Sequence, residues 1–368
     1  MSRFLFFTKT RWEELPRLRH QLAHLLRAAG HEVCFVQQPR LPWQAGARAT
    51  SGPPGIRLLQ HAELLHHKLR FSWPAHEANA HWTTRSIRGV MAGLRVDAAD
   101  IIVNFNYDYY FLRRLYPHNP LITILNDDFI SSAPSFVRPS LRKALRLTCE
   151  SSDRVLVTSP VLQESIGSFC RPELFLPWAD RDYQAPARGA RRDTLLFWGY
   201  VNRRVDFSMV HHLGRLLPTI DPRWRLLVVG PIEKTEAEVR RLRAFPQIEV
   251  LPPTTLDSLP LDRVFASLLP YRVGVRDIDA IVTPNKVFPL LARGLPLVIT
   301  GMPRFMTAEF VFRLAEASTA DVIRCVHTRF DELQPGIAKF VAANGARARL
   351  DQFAEVVRSC RPPGAQVS

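Results

Sequence analysis

One lysine stands in a sequence context that suits the binding of a phosphate group. Lys286 follows Thr283, Pro284 and Asn285 and precedes an apolar run that ends at Gly294. Proline in the first turn of a helix and glycine just past its end are typical of helix termini, so the pattern predicts a helix that opens at Pro284. A helix start carries free N–H groups and partial positive charge, to which Lys286 adds a full charge. Lys286, Asn285 and the nearby backbone are therefore predicted to bind phosphate; the alternative is an ordinary solvated lysine.

A pair of adjacent carboxylates follows another apolar run. Asp127 and Asp128 come after the predicted strand Leu121–Leu125. Carboxyl ends of parallel strands face the crevice in which ligands bind, and a carboxylate there can act as a general base. Consecutive side chains of an extended chain point in opposite directions, so one of the two should face a substrate, and Asp128 is preferred. The alternative is that the pair only caps the following turn.

Other polar residues could contribute to a site. Arg203 and Arg204 follow the predicted turn at Gly199 and could reach a phosphate or a sugar carboxylate, or could lie solvated in a loop. Glu13 and Glu14 are rival bases, although the preference of helix starts for acidic residues explains them equally well.

Both halves of the chain alternate between short apolar runs and amphipathic stretches, which predicts parallel α/β structure. The strands and the helix predicted in the first half are Phe4–Phe7, Glu13–Ala29 (helix), Glu32–Val36, Asp100–Asn104, Leu121–Leu125, Arg154–Thr158 and Leu174–Trp178. Those predicted in the second half are Thr194–Gly199, Phe207–Leu217 (helix), Arg225–Pro231, Glu233–Phe245 (helix), Ile248–Leu251, Leu268–Arg272, a strand–helix unit near Val322–Val326 and a final helix Gly336–Ser359. The polar and basic segment Asp180–Arg192 is the expected linker. Two such halves predict a cleft between domains.

The composition limits the partners and the compartment. The 368 residues carry a formal charge of +15, which suits an anionic membrane face better than nucleic acid, because no nucleic-acid motif is present. The basic stretch Gly55–Arg95 either lies on a membrane surface or forms a surface helix. The five scattered cysteines suggest neither a disulfide framework nor a zinc site, and no run is apolar enough to span a bilayer, so a cytoplasmic location is expected.

The order of features in the second half resembles the C-terminal domain of GT-B glycosyltransferases. Phe197–Val201, with Asp206 after it, resembles the family's glycine turn and helix start, and Trp224–Pro231 resembles its Val-Gly-Pro strand. Asp262–Tyr271 is similar to the strand that ends in Leu-Pro-Tyr, and Thr283–Thr300 to the donor-phosphate motif. The resemblance implies a GT-B fold of class α/β, with two Rossmann-like domains that face each other across a cleft.

One departure from the retaining members of that group bears on whether the reaction retains or inverts the anomeric configuration. They usually carry a glutamate three residues after the lysine, where this sequence has Pro289, and Ile281 and Val282 stand where an earlier glutamate is expected. The pattern is similar to that of the membrane-associated, inverting glucuronosyltransferase of xanthan assembly, which lacks the acidic pair. The resemblance therefore implies inversion, with an aspartate base.

The resemblance also assigns roles to residues and segments. It implies a base at Asp128 or Asp127. The implied donor-binding residues are Lys286, Asn285, Pro284, Tyr271, Glu249, Gly199, Tyr200 and Arg204. Residues 1–180 would bind the acceptor, residues 181–345 would bind the nucleotide sugar, and residues 346–368 would form a helix or tail that could cross back to the first domain. No cofactor and no metal is expected.

The expected activity is transfer of a hexosyl or glucuronosyl group from a nucleoside-diphosphate sugar, such as a UDP-sugar, to a lipid-linked or saccharide acceptor in polysaccharide biosynthesis. The protein would act as a peripheral protein on the cytoplasmic face of the cell membrane. A retaining glycosyltransferase and a basic α/β binding protein without catalysis are the alternatives. The donor sugar, the acceptor and the oligomeric state cannot be read from the sequence.

Overall fold

The chain folds into two units, each built on a parallel sheet. The computed structural model describes residues 1–14, 17–41, 43–44, 52–66, 69–130, 133–179, 181–187, 189–275, 278 and 282–360. Unit 1 comprises Met1–Leu176 together with the chain from Arg349 onward, and unit 2 comprises Pro177–Ala348.

The sheet of unit 1 has seven strands in the order β3-β2-β1-β4-β5-β6-β7. Each neighbouring pair is parallel. The strands are β1 (Arg3–Phe7), β2 (Glu32–Arg40), β3 (Ile56–Ala62), β4 (Ile101–Asn104), β5 (Leu121–Leu125), β6 (Arg154–Val157) and β7 (Glu173–Leu174). The helices are α1 (Leu18–Ala28), α2 (Trp73–Met91), α3 (Leu112–Leu115), α4 (Arg138–Ser151) and α5 (Pro160–Ile166).

The central strands of unit 1 are almost wholly apolar because helices cover both faces of a parallel sheet. In β1, Phe4 to Phe7 are buried, as are all residues of β4 and β5. The last helix of the chain joins this core, since Phe353 packs against Phe4 and Phe175, with ring centroids 6.0 and 5.8 Å away.

The sheet of unit 2 has six strands in the order β10-β9-β8-β11-β12-β13. All neighbouring pairs are again parallel. The strands are β8 (Thr194–Trp198), β9 (Arg225–Val229), β10 (Ile248–Leu251), β11 (Val264–Pro270), β12 (Leu297–Thr300) and β13 (Val311–Arg313). The helices are α6 (Phe207–Ile220), α7 (Glu236–Leu242), α8 (Val287–Ala292), α9 (Thr319–Thr328), α10 (Gln334–Ala343) and α11 (Ala346–Ser359), the last of which continues into unit 1.

The predicted α/β class is confirmed, and one region combines the surface helix given above as an alternative with a strand that was not predicted. The basic stretch Gly55–Arg95 contains β3 and α2. The helix α2 buries one face, which includes Ile87 and Met91, and leaves Trp82, Arg85 and Arg88 exposed. None of the described helices is long and apolar enough to cross a membrane.

Several predicted element bounds were wrong for local reasons. The first helix begins at Leu18 rather than Glu13, because Arg17 has extended backbone angles. The helix α7 cannot begin at Glu233, because Lys234 has a φ of 57°. The residues Val322–Val326 lie within α9, and the strand before them is β13.

Other predicted segments also differ from the structure. The final stretch Gly336–Ser359 is two helices, α10 and α11, which are separated around Asn344 and Gly345. The strand predicted at Leu174–Trp178 is only Glu173–Leu174. The expected linker makes bonds within unit 2 where it is described: the amide of Gln184 donates to the Ala292 carbonyl at 2.8 Å. Asp180 and Ile281, both named above, lie outside the described residues.

Candidate functional site

The carboxyl ends of β8 and β11 form the point at which the strand order of unit 2 reverses. The strands β9 and β10 lie on one side of this point, and β12 and β13 lie on the other. Gly199 directly follows β8, and Tyr271 directly follows β11. Ligands of open parallel sheets bind at such a reversal, outside the carboxyl ends of the strands. Two of the predicted donor-binding residues therefore lie at the expected end of the sheet.

Lys286 extends its ammonium group into this same place. The Nζ atom lies 4.8 Å from the ring centroid of Phe197 and 4.8 Å from that of Tyr271, which are cation–π distances. Among the described residues, the ammonium has no hydrogen-bond acceptor and no carboxylate partner. The two rings thus hold the ammonium, and no carboxylate of the described residues is paired with its charge, which can face an anionic ligand.

Gly199 leaves the space that this ammonium occupies. Its φ is +145°, and a Cβ atom added there would lie 2.9 Å from Nζ of Lys286. The turn at Gly230, after β9, packs closely against Gly199. A Cβ atom on Gly230 would collide with the carbonyl oxygen of Gly199. At position 199, therefore, only glycine leaves the lysine in place.

The loop after Gly199 is anchored to the end of β11. The amide of Arg272 donates to the carbonyl of Arg204 at 3.0 Å, and the amide of Asp206 donates to the carbonyl of Pro270 at 2.7 Å. The Asp206 side chain caps α6 by accepting from the amide of Met209 at 3.1 Å. These bonds fix the loop that carries the exposed side chains of Tyr200 and Arg204 beside Tyr271.

The helix predicted to open at Pro284 begins three residues later. The amide of Val287 donates to the carbonyl of Pro284 at 3.0 Å, so Pro284 to Lys286 form a tight turn before α8. The helix has only six residues, and the site therefore depends on the lysine charge rather than on a helix dipole. Asn285 is exposed and Pro284 is half-buried in this turn.

Glu249 lies apart from these residues. It is an exposed residue of the edge strand β10, where it is paired with Leu227 of β9, and β9 separates β10 from β8. Within the described part of unit 2, no contact joins Glu249 to Lys286 or Gly199. Its assignment to the donor nucleoside stays a prediction.

In unit 1 the two adjacent aspartates follow β5, as expected. Asp127 is exposed and Asp128 is half-buried, and Oδ1 of Asp128 accepts a hydrogen bond from the amide of Ile130 at 3.1 Å. Both aspartates line a cavity of about 120 Å³ whose other walls are largely apolar, with Phe129 and Leu145 among them. The pair thus lies beside a hollow that suits an apolar group, and its role as a base stays a prediction. The rival candidate Glu14 forms an ion pair of 3.2 Å with Arg17.

A buried charged network at the carboxyl edge of the unit 1 sheet was missed from the sequence. Arg70 forms an ion pair with Asp108 at 2.5 Å and another with Glu63, and Nζ of Lys9 lies 2.7 Å from Asp108. The Tyr109 hydroxyl donates to Glu63 at 2.8 Å. Three of these charged residues come shortly after the ends of strands: Lys9 after β1, Glu63 after β3 and Asp108 after β4. This placement is the sequence signal that could have revealed the network. We call Lys9, Glu63, Arg70 and Asp108 the buried ionic network.

The network stabilises its carboxylates in the charged form. Burial alone would raise the pKa of Asp108, but Lys9 and Arg70 outweigh it and hold this pKa at about 2. Burial, together with the charge of Glu63, raises the pKa of Tyr109 well above its ordinary value, so its hydroxyl keeps the proton that it donates. Two cations thus balance two carboxylates where β1 and β4 meet.

A cavity of unit 2, about 320 Å³ in volume, lies at the other end of the sheet. Asp193 precedes β8 and Trp224 precedes β9, and both line this cavity. The amino ends of parallel strands are not where such sheets bind ligands, so we place no site there. In the described ranges, no group of three or more His, Cys, Asp or Glu side chains is arranged to hold a metal ion.

Comparison with known proteins identifies the fold. No family model and no curated protein matches this sequence. Among solved structures, the apo form of the lipopolysaccharide outer core galactosyltransferase WaaB matches with a TM-score of 0.62 and 12% identity, over 97% of this chain and 99% of that one. Sucrose-phosphate synthase of Thermosynechococcus elongatus matches with a TM-score of 0.67 and 13% identity, over 97% and 98% of the two chains. The UDP-forming α,α-trehalose-phosphate synthase of Burkholderia vietnamiensis matches with a TM-score of 0.61 and 13% identity, over 97% of both chains. The chain has the GT-B fold that the sequence pattern predicted.

Proposed function

We propose that this protein is a glycosyltransferase that moves a sugar from a nucleoside-diphosphate sugar to a lipid-linked or saccharide acceptor. The observation that carries the proposal is the position of the Lys286 ammonium between the rings of Phe197 and Tyr271 at the strand reversal of unit 2, where no described carboxylate pairs with it. The names of the similar structures, which include a galactosyltransferase and a UDP-forming synthase, support this class of reaction.

The chemistry requires positive charge where the leaving group develops negative charge. As the bond between the anomeric carbon and the diphosphate oxygen breaks, the diphosphate gains charge, and a preorganised cation lowers the barrier most when no protein anion competes for it. Among the described residues no anion pairs with Lys286, and the anchored loop with Tyr200 and Arg204 adds further donors next to it. A metal is not part of this proposal.

We propose an inverting reaction in which Asp128 is the general base. The base takes the proton of the acceptor hydroxyl while its oxygen attacks the anomeric carbon from the face opposite to the diphosphate. Asp128 is supported by its place after β5 and by its position at an apolar cavity, and Asp127 is the second choice. The configuration of the product's anomeric proton, measured by NMR, separates inversion from retention.

We further propose that the acceptor is reached at the cytoplasmic face of the membrane. Unit 1 exposes large apolar side chains, with Phe71 at 55% and Phe136 at 72% exposure, and the nearby chain is rich in basic residues. The exposed face of α2 adds Trp82 and Arg85. Aromatic side chains beside basic ones suit an anionic lipid surface.

The test is transfer of radiolabelled sugar from nucleotide sugars into a membrane lipid extract. The wild-type protein should move label into the organic phase, whereas Lys286→Ala and Asp128→Asn should lose turnover by about 100-fold or more. Absence of label in lipid from every donor rejects the lipid acceptor, and the same donors with soluble saccharides then test the wider claim. Two variants with wild-type turnover would indicate a different site.

A further inference from the structure

A second buried arginine of unit 1 differs from Arg70 in forming no ion pair with any residue that the structure describes. Arg19, the second residue of α1, is 6% exposed. The carbon at the centre of its guanidinium lies 5.7 Å from the ring centroid of Phe105, which directly follows β4. Because α1 follows β1, the guanidinium lies at the carboxyl edge of the sheet, near the point where the order of β1 and β4 reverses.

At least part of the Arg19 guanidinium lacks a hydrogen-bond partner in the described structure. Its Nε atom is buried and has no hydrogen-bond partner, and in the part of the chain that the structure describes Arg19 forms no ion pair. Arg70 is equally buried but binds two carboxylates, Asp108 and Glu63. Buried polar groups are nearly always paired, so a buried Nε atom without a partner in the described structure is consistent with a ligand that binds this guanidinium.

The electrostatic surroundings distinguish the two arginines in the same way. Burial lowers the pKa of Arg19 to about 10, because Arg17 adds repulsion and the charges of Asp127 and Glu14 compensate only in part. Burial also opposes the charged form of Arg70, but Asp108 and Glu63 reverse the effect and raise its pKa. Arg70 is thus paired with carboxylates of the protein, whereas no described carboxylate forms an ion pair with Arg19.

The start of α1 adds to the attraction for an anion. Its first turn contains no acidic residue, and the helix has 11 residues, enough for free amides at its N-terminal end to carry partial positive charge. Glu14, the nearest acidic residue in sequence, is already engaged, since it accepts from the Arg11 amide at 3.1 Å and pairs with Arg17.

We propose that Arg19 and the first turn of α1 bind a phosphate group, and that this phosphate belongs to the acceptor. The second part rests on the proposed function, since it assumes that unit 1 receives the acceptor. A guanidinium offers a planar fork of N–H groups that matches two phosphate oxygens, and the influence of Asp127 on Arg19 brings this phosphate near the proposed base. The acceptor class is therefore a phosphorylated or phosphate-linked saccharide or lipid.

The experiment compares binding by full-length variants, with Lys286→Gln as the background so that the donor site does not contribute. Affinities for inorganic phosphate and for a short alkyl phosphate are measured by titration calorimetry. Adding Arg19→Gln should weaken both by about tenfold or more, the loss of one charge-assisted bidentate contact. Adding Arg27→Gln, the matched control in the last turn of the same helix, should change them by less than about threefold, because Arg27 lies at the opposite end of α1. Thermal unfolding confirms that each variant is folded, and Arg19→Lys provides a second variant that keeps the charge but loses the fork.

The remaining arms separate the sources of the phosphate. In the wild-type background, Arg19→Gln should leave the affinity for UDP within about threefold; a tenfold loss for UDP would assign the phosphate to the donor and overturn the acceptor assignment. Unchanged affinity for phosphate and alkyl phosphate in Arg19→Gln would overturn the site altogether. Arg19-dependent phosphate binding by a protein that transfers no sugar would leave this site standing and reject the proposed function.

Discussion

Lys286 and Tyr271 meet at the carboxyl end of β11, with the lysine Nζ atom 4.8 Å from the centre of the tyrosine ring. Tyr271 is fixed there by its backbone, since its carbonyl accepts a hydrogen bond of 2.9 Å from the Thr300 hydroxyl at the end of β12. Contact with the rings of Tyr271 and Phe197 restricts the positions open to the ammonium and so reduces the entropy that the lysine must lose when it binds an anion. The pair is therefore preorganised for a charged ligand.

Replacing Lys286 should abolish transfer without weakening the fold. Lys286→Ala removes the cation that the leaving diphosphate needs, so kcat/KM should fall by about 100- to 1,000-fold. The ammonium has no partner among the described residues, so the midpoint of thermal unfolding should stay nearly constant. The matched control is Lys339→Ala, an exposed lysine of the same unit, which should keep full activity. A large loss of stability in Lys286→Ala would show that the lysine is structural.

A methyl group at Gly199 should displace the lysine. Gly199→Ala places a carbon 2.9 Å from Nζ and forces an alanine to a φ of +145°, so both activity and stability should fall, the latter by about 1–3 kcal/mol. Gly30→Ala is the control, because Gly30 has a φ of +84° and open space around it. It should lose stability but keep activity when measured well below its unfolding temperature. Equal activity losses in the two variants would contradict a local effect on Lys286.

The parts of the site that could be predicted from the sequence are those encoded within a few residues. Gly199 and Tyr271 each end an apolar run, and Lys286 follows a proline, so short patterns identified them. The buried ionic network was missed because Asp108 is distant in the chain from its partners, 99 positions from Lys9 and 38 from Arg70. Taken singly, each of these charged residues is indistinguishable from a solvated loop residue.

Arg19 shows a second limit of the sequence. Its helix was predicted from leucines such as Leu18, Leu22 and Leu26, which are indeed buried. No expectation was attached to Arg19, and its burial becomes visible only in the fold, where it packs against Phe105 from a distant strand end. Charge burial depends on tertiary neighbours, which helical periodicity does not encode.

The buried ionic network should make stability depend on pH in acid. Because the folded pKa of Asp108, about 2, lies below its ordinary value of 3.8, its contribution is complete above about pH 4 and is lost as the pH falls toward 2. The difference in the free energy of unfolding between the wild type and Asp108→Asn, measured in urea, should therefore shrink over that interval. At pH 7, Arg70→Met should cost about 3–5 kcal/mol, because it leaves two buried carboxylates without their shared partner.

The matched control for that measurement is Arg19→Met, which removes a buried guanidinium with no ion pair in the described structure. This variant should be neutral or more stable than the wild type. An equal destabilisation by Arg19→Met and Arg70→Met would contradict the contrast between the two arginines.

Apolar side chains on unit 1 should contribute to membrane association. The double variant Phe71→Ser with Phe136→Ser should bind vesicles that contain anionic lipid more weakly than the wild type in a sedimentation assay, because it removes two exposed rings. Salt should weaken binding by both proteins, since the basic surface supplies the electrostatic part. Val273→Ser is the control, a 76% exposed apolar residue of unit 2, and it should bind like the wild type. Equal binding by all three proteins would argue against this surface.

A crystal structure with UDP bound is the most direct test of whether Lys286 binds the diphosphate. We expect an oxygen of the diphosphate to lie within hydrogen-bond distance, about 3 Å, of the Lys286 Nζ atom. The diphosphate should then lie at the carboxyl ends of β8 and β11, close to Gly199. A diphosphate bound elsewhere on the chain, without contact to the Lys286 ammonium, would contradict the proposed donor site.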